Sequence, residues 1–333
     1  MRYATAAAFR QALDDRLKAE AAKTGLGLAR LRKRVAFELF LRRLVAVAPD
    51  RWVLKGALAL DFRFDSTSRP TRDMDLGRAD DEEAAVIDLA AAQELALDDF
   101  FTFVVRRTDA LDDTDDFRAI RFHVTAELAG RVFDQVVVDV GFADSISPTP
   151  DTIETSDLLS FAGIERVRVP ALPLPQHVAE KVHAYTRKYG ATGRESTRPK
   201  DLADILLIAG SERLEAASLR EALEATFEQR DQQPLPASLP APPASWREPY
   251  RRLAEKWLSS RSSTRRTSRP RGFSTRPSPA APPGNGTPSG EPGRDLRLPE
   301  VATTRWGVDG AGPSGNRVDG RGTGSQRICG SPC

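Results

Sequence analysis

Thiols are nearly missing from this chain. Of its 333 residues only two are cysteine, Cys329 and Cys333, both at the very end. The remainder therefore has neither a disulfide framework nor a thiolate zinc site. Long apolar runs are missing as well, since no stretch approaches the roughly eighteen residues that a membrane span needs. The opening Met1-Arg2-Tyr3-Ala4-Thr5 lacks the continuous apolar segment of a secretion signal. A soluble, cytoplasmic protein is the expectation. Histidine is scarce, and His123, His177 and His183 share no metal-ligand spacing with carboxylates; structural or surface roles suit them. The net charge is only +2. That balance conceals a basic end: twelve arginines face five acids from residue 259 onward, and the body is accordingly acidic.

The end is also short of regularly spaced apolar residues. Residues 261–333 are rich in Gly, Pro, Ser and Arg, a composition that buries too little surface to offset its ordering entropy. Two readings stand. One is a disordered basic tail with loose nucleic-acid affinity; the other is an out-of-frame end replacing the true C-terminus. The abrupt change after the well-patterned stretch Arg247 to Leu258 motivates the second.

Upstream of that point the length allows two domains. Apolar residues at helical spacing predict helices over Phe9 to Ala22 and Leu28 to Val47, separated by Gly25-Leu26-Gly27. Arg30, Arg32, Lys33, Arg34, Arg42 and Arg43 make the second helix basic, either as a solvated face or as a surface for RNA. A short helix over Ala57 to Phe62, a strand at Met74-Asp75-Leu76 and a helix over Asp80 to Leu97 follow. Phe100 to Arg106, Phe117 to Thr125 and Arg131 to Val140 read as strands, rich in Val, Ile and Phe. Prolines between 148 and 175 mark a change of regime. Helices then resume over Gln176 to Tyr189, Pro199 to Ala209 and Leu214 to Phe227, before a Pro-rich connector. The order predicts an α+β core with a helical C-terminal lobe: N-terminal helices over 1–50, a sheet core over 51–170, the lobe over 171–258 and the tail over 259–333.

The chemistry concentrates between Val53 and Leu76. Lys55-Gly56-Ala57 is a small-residue turn opening a helix, whose N-terminal N–H groups suit a phosphate. Arg69-Pro70-Thr71-Arg72-Asp73-Met74-Asp75-Leu76 follows. On a strand, residues i and i+2 share a face, so Asp73 and Asp75 can direct carboxylates at one hard divalent cation shared with substrate phosphates. Asp139, near the end of a strand apolar enough to be central, can add a third; Asp144 is its rival. Ser66, Thr67 and Ser68 are within reach of phosphate but read as loop filler.

A glycine turn, an Asp-x-Asp pair and a later strand aspartate resemble the nucleotidyltransferase superfamily of polymerase-β type. That likeness implies a mixed sheet with flanking helices and two-metal phosphoryl chemistry. Four stretches in order narrow it: Leu54-Lys55-Gly56-Ala57, Arg69 to Leu76, Glu180-Lys181, and Arg198-Pro199-Lys200-Asp201-Leu202-Ala203-Asp204. Together, over about residues 8–258, they resemble the AbiEii/AbiGii toxin family. The resemblance implies an NTP-dependent nucleotidyltransferase of a toxin–antitoxin or phage-defence system. It would use Mg²⁺ or Mn²⁺ and GTP or CTP, and an RNA acceptor such as the tRNA 3′ end. Its partner would be a winged-helix antitoxin encoded alongside. Asp73, Asp75 and Asp139 would be the metal ligands, and Asp201 a further catalytic acid. Lys55, Gly56, Ala57, Arg72, Lys181, Arg198 and Lys200 would meet the nucleotide or RNA.

Two departures qualify the likeness. The usual second glycine of the turn is Ala57, harmless only if that position is already helical. The closing helices give way to the tail. A disabled nucleotide- or RNA-binding relative and an antibiotic-modifying nucleotidyltransferase are the competing readings. The basic second helix and the Arg-x-Lys-Asp run favour RNA over a cationic drug.

Overall fold

The computed structural model describes residues 1–65, 68–108, 119–142, 149–188, 196–230, 233–253 and 255. The basic tail, Ser66, Thr67 and Asp144 lie outside the described residues.

Two helices open the chain. α1 (Ala6–Thr24) starts where the Thr5 hydroxyl accepts from the Ala8 N–H, and it stops at left-handed Gly25. It buries Phe9, Leu13 and Leu17, one stripe at four-residue spacing. α2 (Leu28–Val47) is buried along most of its length. β1 (Val53–Lys55) leads into α3 (Gly56–Phe64), and β2 (Asp73–Arg78) into α4 (Glu82–Glu94), which is capped by Asp81. β3 (Phe101–Arg107), β4 (Ala119–Leu128) and β5 (Arg131–Phe142) form an antiparallel meander. Ala129 and Gly130, both at positive φ, make its tight β4–β5 turn. β6 (Asp151–Glu154) and β7 (Arg168–Ala171) complete a seven-stranded sheet of order β3-β4-β5-β2-β1-β7-β6. The sheet is mixed, since β2 runs parallel to β5 and β1 parallel to β7. The proline-marked stretch, where the sequence predicts no individual strand, supplies two strands of the sheet. Its strands are four residues each, too brief for alternation to stand out.

One face of the sheet is dry. Met74, Leu76, Phe101, Phe103, Phe122, Val124, Val136, Val138 and Val140 pack with Val35, Leu39 and Phe40 of α2 in a single hydrophobic cluster. A second cluster joins α5 (Leu174–Thr186), α6 (Pro199–Ser211) and α7 (Ala216–Gln229), with Leu60 of α3 reaching into it. Residues 247–253 are helical again after a 3-10 turn at Ala244–Trp246.

The basic character of α2 is neither a solvated face nor an RNA surface. Arg43 is fully buried on Asp99 and on the Phe101 carbonyl. Arg30 pairs with Asp61, Arg34 with Asp65 at 2.6 Å, Arg32 with Asp14 at 2.8 Å and Lys33 with Asp134 at 2.9 Å. Arg42 donates to the Glu165 carbonyl. A central helix holds these charges only because partners elsewhere in the fold satisfy them.

Candidate active site

The face of the sheet opposite the apolar cluster carries the acids. In β2 exposure alternates, with Met74 and Leu76 in the core and Asp73 and Asp75 half-buried on the other side. The Thr71 hydroxyl fixes the strand entry: it accepts from the Asp73 N–H at 3.2 Å and donates to the Asp73 carbonyl at 3.0 Å. β5 lies parallel beside β2 with Asp139 in register with Asp75. All three carboxylates therefore share one sheet face. Burial, and then the neighbouring Asp139, push the Asp75 carboxyl above its ordinary value, while Lys181 pulls it down. A surplus of negative charge is packed here.

Gly56 sits against this cluster. It opens α3 at φ +64°, and a Cβ there would lie 1.7 Å from Asp75 Oδ2. Only glycine fits, both for backbone conformation and for space. Lys55 is in register with Asp75 on β1. Its ammonium pairs at 2.9 Å with Glu180, which also meets Arg230 at 3.1 Å. Burial alone would raise the Glu180 carboxyl, but these two cations hold it below its usual value. Ala57 is buried within α3 and is not at positive φ, so the departure from Gly-Gly is harmless to the turn.

The helical lobe contributes an interlocked set of charges. Lys181 of α5 is buried and meets Asp204 at 2.7 Å and Asp201 at 3.2 Å. Arg69 grips Asp204 with two hydrogen bonds, of 2.8 and 2.9 Å. Arg198 closes on Asp201 at 2.9 Å. Burial would lower Lys181 and raise Asp204. Their mutual attraction overrides it, so the lysine sits above and the aspartate below its ordinary pKa. Lys181 is thus held by acids of its own lobe. Arg72 and Lys200 are exposed and pair with no carboxylate among the described residues. His177, one turn before Lys181, is buried with both ring nitrogens unpartnered, and burial drives its pKa down to about 3. It is a neutral core imidazole.

Sequence reasoning missed three participants: Arg69, Glu180 and Arg121. The first two stand inside the quoted motifs, which was the available signal. Arg121 stands on β4 opposite Asp139 and binds both its oxygens at 2.7 Å. Among the described residues no group of three or more His, Cys, Asp or Glu side chains is arranged to hold a metal ion. The donor chemistry nonetheless fits a hard divalent cation. It is all carboxylate, drawn from adjacent strands, with the proton affinity of Asp75 raised by burial and then by the neighbouring acids. No helix among the described residues is long and apolar enough to cross a membrane.

A protein-family model described as nucleotidyl transferase AbiEii toxin, type IV toxin–antitoxin system, matches residues 39–276. The match starts later than the motif resemblance and runs past Leu258. Among solved structures the chain is similar to MenT4, a nucleotidyltransferase toxin from Mycobacterium tuberculosis H37Rv, at 15% identity and TM-score 0.47, covering 77% of this chain and 92% of that one. It is also similar to JHP933 from Helicobacter pylori, at 14% identity and TM-score 0.36, covering 70% and 92% respectively. No curated protein matches.

Proposed function

Because this chain belongs to the AbiEii family of nucleotidyltransferase toxins from type IV toxin–antitoxin systems, we propose that it transfers a nucleoside monophosphate from an NTP to an RNA 3′ end, that of tRNA above all. The transfer would block translation in the cytoplasm, under control of a winged-helix antitoxin and in the service of phage defence. The observation that carries the reading is the shared sheet face of Asp73, Asp75 and Asp139, with Asp75 and Asp139 in register, lying against a turn that tolerates only glycine at position 56.

In this reading Asp73 and Asp75 hold the divalent cation, Mg²⁺ or Mn²⁺, with Asp139 as third ligand. Bound there, the cation would polarise the transferred phosphoryl group and stabilise its developing charge. Asp139 also takes the proton of the attacking hydroxyl, for which it must first leave Arg121. The N–H groups at the start of α3, with Lys55, receive the triphosphate. Lys55 exchanges Glu180 for phosphate in doing so. Lys181 adds a fixed positive charge beside Asp75, while Asp201 and Asp204 hold it in position. Exposed Arg72, Arg198 and Lys200 meet nucleotide or RNA. GTP and CTP are the favoured donors. The preference for RNA over a small drug rests on the family and on these exposed cations, since α2 spends its charges internally.

The test is a labelling assay. Full-length protein and Mg²⁺ are incubated with total bacterial RNA and each α-phosphate-labelled NTP in turn, with Asp73→Ala as control. A labelled tRNA-sized band, absent from the control, is expected. Label on no RNA with any NTP, from folded protein, would overturn the reading in favour of a disabled relative.

A further inference from the structure

The contact between Arg121 and Asp139 differs from the other ion pairs near the site. Arg121 Nε donates to Asp139 Oδ1 and Nη2 to Oδ2, both at 2.7 Å, a fork-to-fork pair that uses both carboxylate oxygens. The guanidinium also lies within the field of Asp73 and Asp75, which with Asp139 favour its charged form. It is paired directly with Asp139 and is the positive charge on β4 facing all three acids, while Lys181 and Arg69 also act on Asp75. Yet it is not locked in. Its side chain is 34% exposed and hydrogen-bonds no group other than Asp139 among the described residues. The comparable grip of Arg43 on Asp99 is fully buried, and that of Arg69 on Asp204 is more enclosed, with Asp204 buried and Arg69 18% exposed. A buried pair cannot part without stranding a charge; a half-exposed one can.

We propose that Arg121 is a tethered counter-ion, a positioning residue that occupies Asp139 until a divalent cation displaces it. The inference rests on the reading of Asp73, Asp75 and Asp139 as the cation site. A guanidinium and a divalent cation compete for the same oxygens, so the protein holds its acids neutralised and Asp139 out of reach when no cation is bound. Displacement then swings the Arg121 side chain from the sheet face toward solvent. Competition sets the sign of the effect: removing Arg121 frees Asp139 and tightens cation binding. A simple brace that holds Asp139 in a ligating position would give the reverse.

Equilibrium binding of Mn²⁺ to the full-length protein, read from the paramagnetic signal of the free ion, separates the two. Wild type, Arg121→Gln, Arg121→Lys and Asp75→Ala are compared, each checked for native circular dichroism. Arg121→Gln is expected to bind Mn²⁺ more tightly, on the order of tenfold, as loss of one charge-assisted contact from the competing state implies. Arg121→Lys keeps the charge but cannot fork, and falls between Gln and wild type. Asp75→Ala should lose binding. If Arg121→Gln binds equally or more weakly while Asp75→Ala still loses the ion, the counter-ion role is wrong and the cation site stands. If wild type binds no Mn²⁺, or Asp75→Ala binds it as well as wild type, the site reading itself fails and takes this proposal with it.

Discussion

Substituting alanine for Gly56 should be the most damaging one-carbon change in the molecule, and its cost divides into two separable parts. The first is backbone. At φ +64° an L-residue carries about 1–2 kcal/mol of strain. The second is space. The added Cβ would lie 1.7 Å from Asp75 Oδ2, 2.6 Å from its Cγ and 2.9 Å from its Cβ. Because the contact includes the root of the side chain, rotation of the carboxylate cannot relieve it, and β2 must shift. Overpacking of this kind costs about 1–3 kcal/mol, so the whole change costs about 2–5 kcal/mol. Urea unfolding with matched slopes measures it. Repeating the substitution in an Asp75→Gly background, which removes the side chain to its root, should remove the spatial part and leave about 1–2 kcal/mol of backbone strain. Ala57→Gly, which restores the usual Gly-Gly, should instead cost about 0.5–1 kcal/mol of helix stability. An equal loss for Gly56→Ala in both backgrounds, or none in either, would refute the packing argument.

Two further outcomes concern buried charge. Lys181→Ala strands Asp201 and Asp204 with Arg198 and Arg69 as their remaining cations among the described residues, and it should cost about 3 kcal/mol, so toxicity in this variant must be scored against folded protein. The Lys181–Asp204 contribution should persist above the ordinary Asp pKa of 3.8 and below the ordinary Lys pKa of 10.5, since the folded values lie outside those limits; the gap between variant and wild type in denaturation should close beyond them. Glu38 gives the opposite sign: buried beside Arg34 and Ser156, it is raised from 4.5 to about 7. A raised carboxyl contributes stability in full below pH 4.5 and loses it as pH rises through about 7, a swing of about 3 kcal/mol. Glu38→Gln should flatten the denaturation profile across that window, and an unchanged slope would count against burial as the cause.

What could be read from the sequence was whatever depends on near neighbours. Asp73 and Asp75 on one face follow from two-residue alternation, and the helical identity of Ala57 follows from its place after the turn. α2 was bounded correctly at Leu28 and Val47, yet its charges were misread. Their partners, Asp61, Asp99 and Asp134, lie tens of residues away, and nothing local distinguishes a buried arginine from a solvated one. Arg121 was invisible for the same reason: on an alternating strand it occupies a solvent-face position, and only the β4–β5 register brings it onto Asp139. The alignment of Asp139 with Asp75 required a parallel pairing that periodicity does not encode. β6 and β7 were too brief to carry a pattern.

The long reach of the sheet also sets when danger begins. Asp75 needs its parallel neighbour Asp139, β1 needs β7, and the Lys181 clasp closes only on Asp204. A ribosome adding about 5–20 residues per second spends roughly ten seconds between Asp75 and Asp204. Throughout that interval the emerging chain carries the acids but lacks the lobe beside them. On the proposed function, the active species therefore arises late and all at once rather than residue by residue, which leaves an antitoxin that meets the finished fold a defined moment at which to do so.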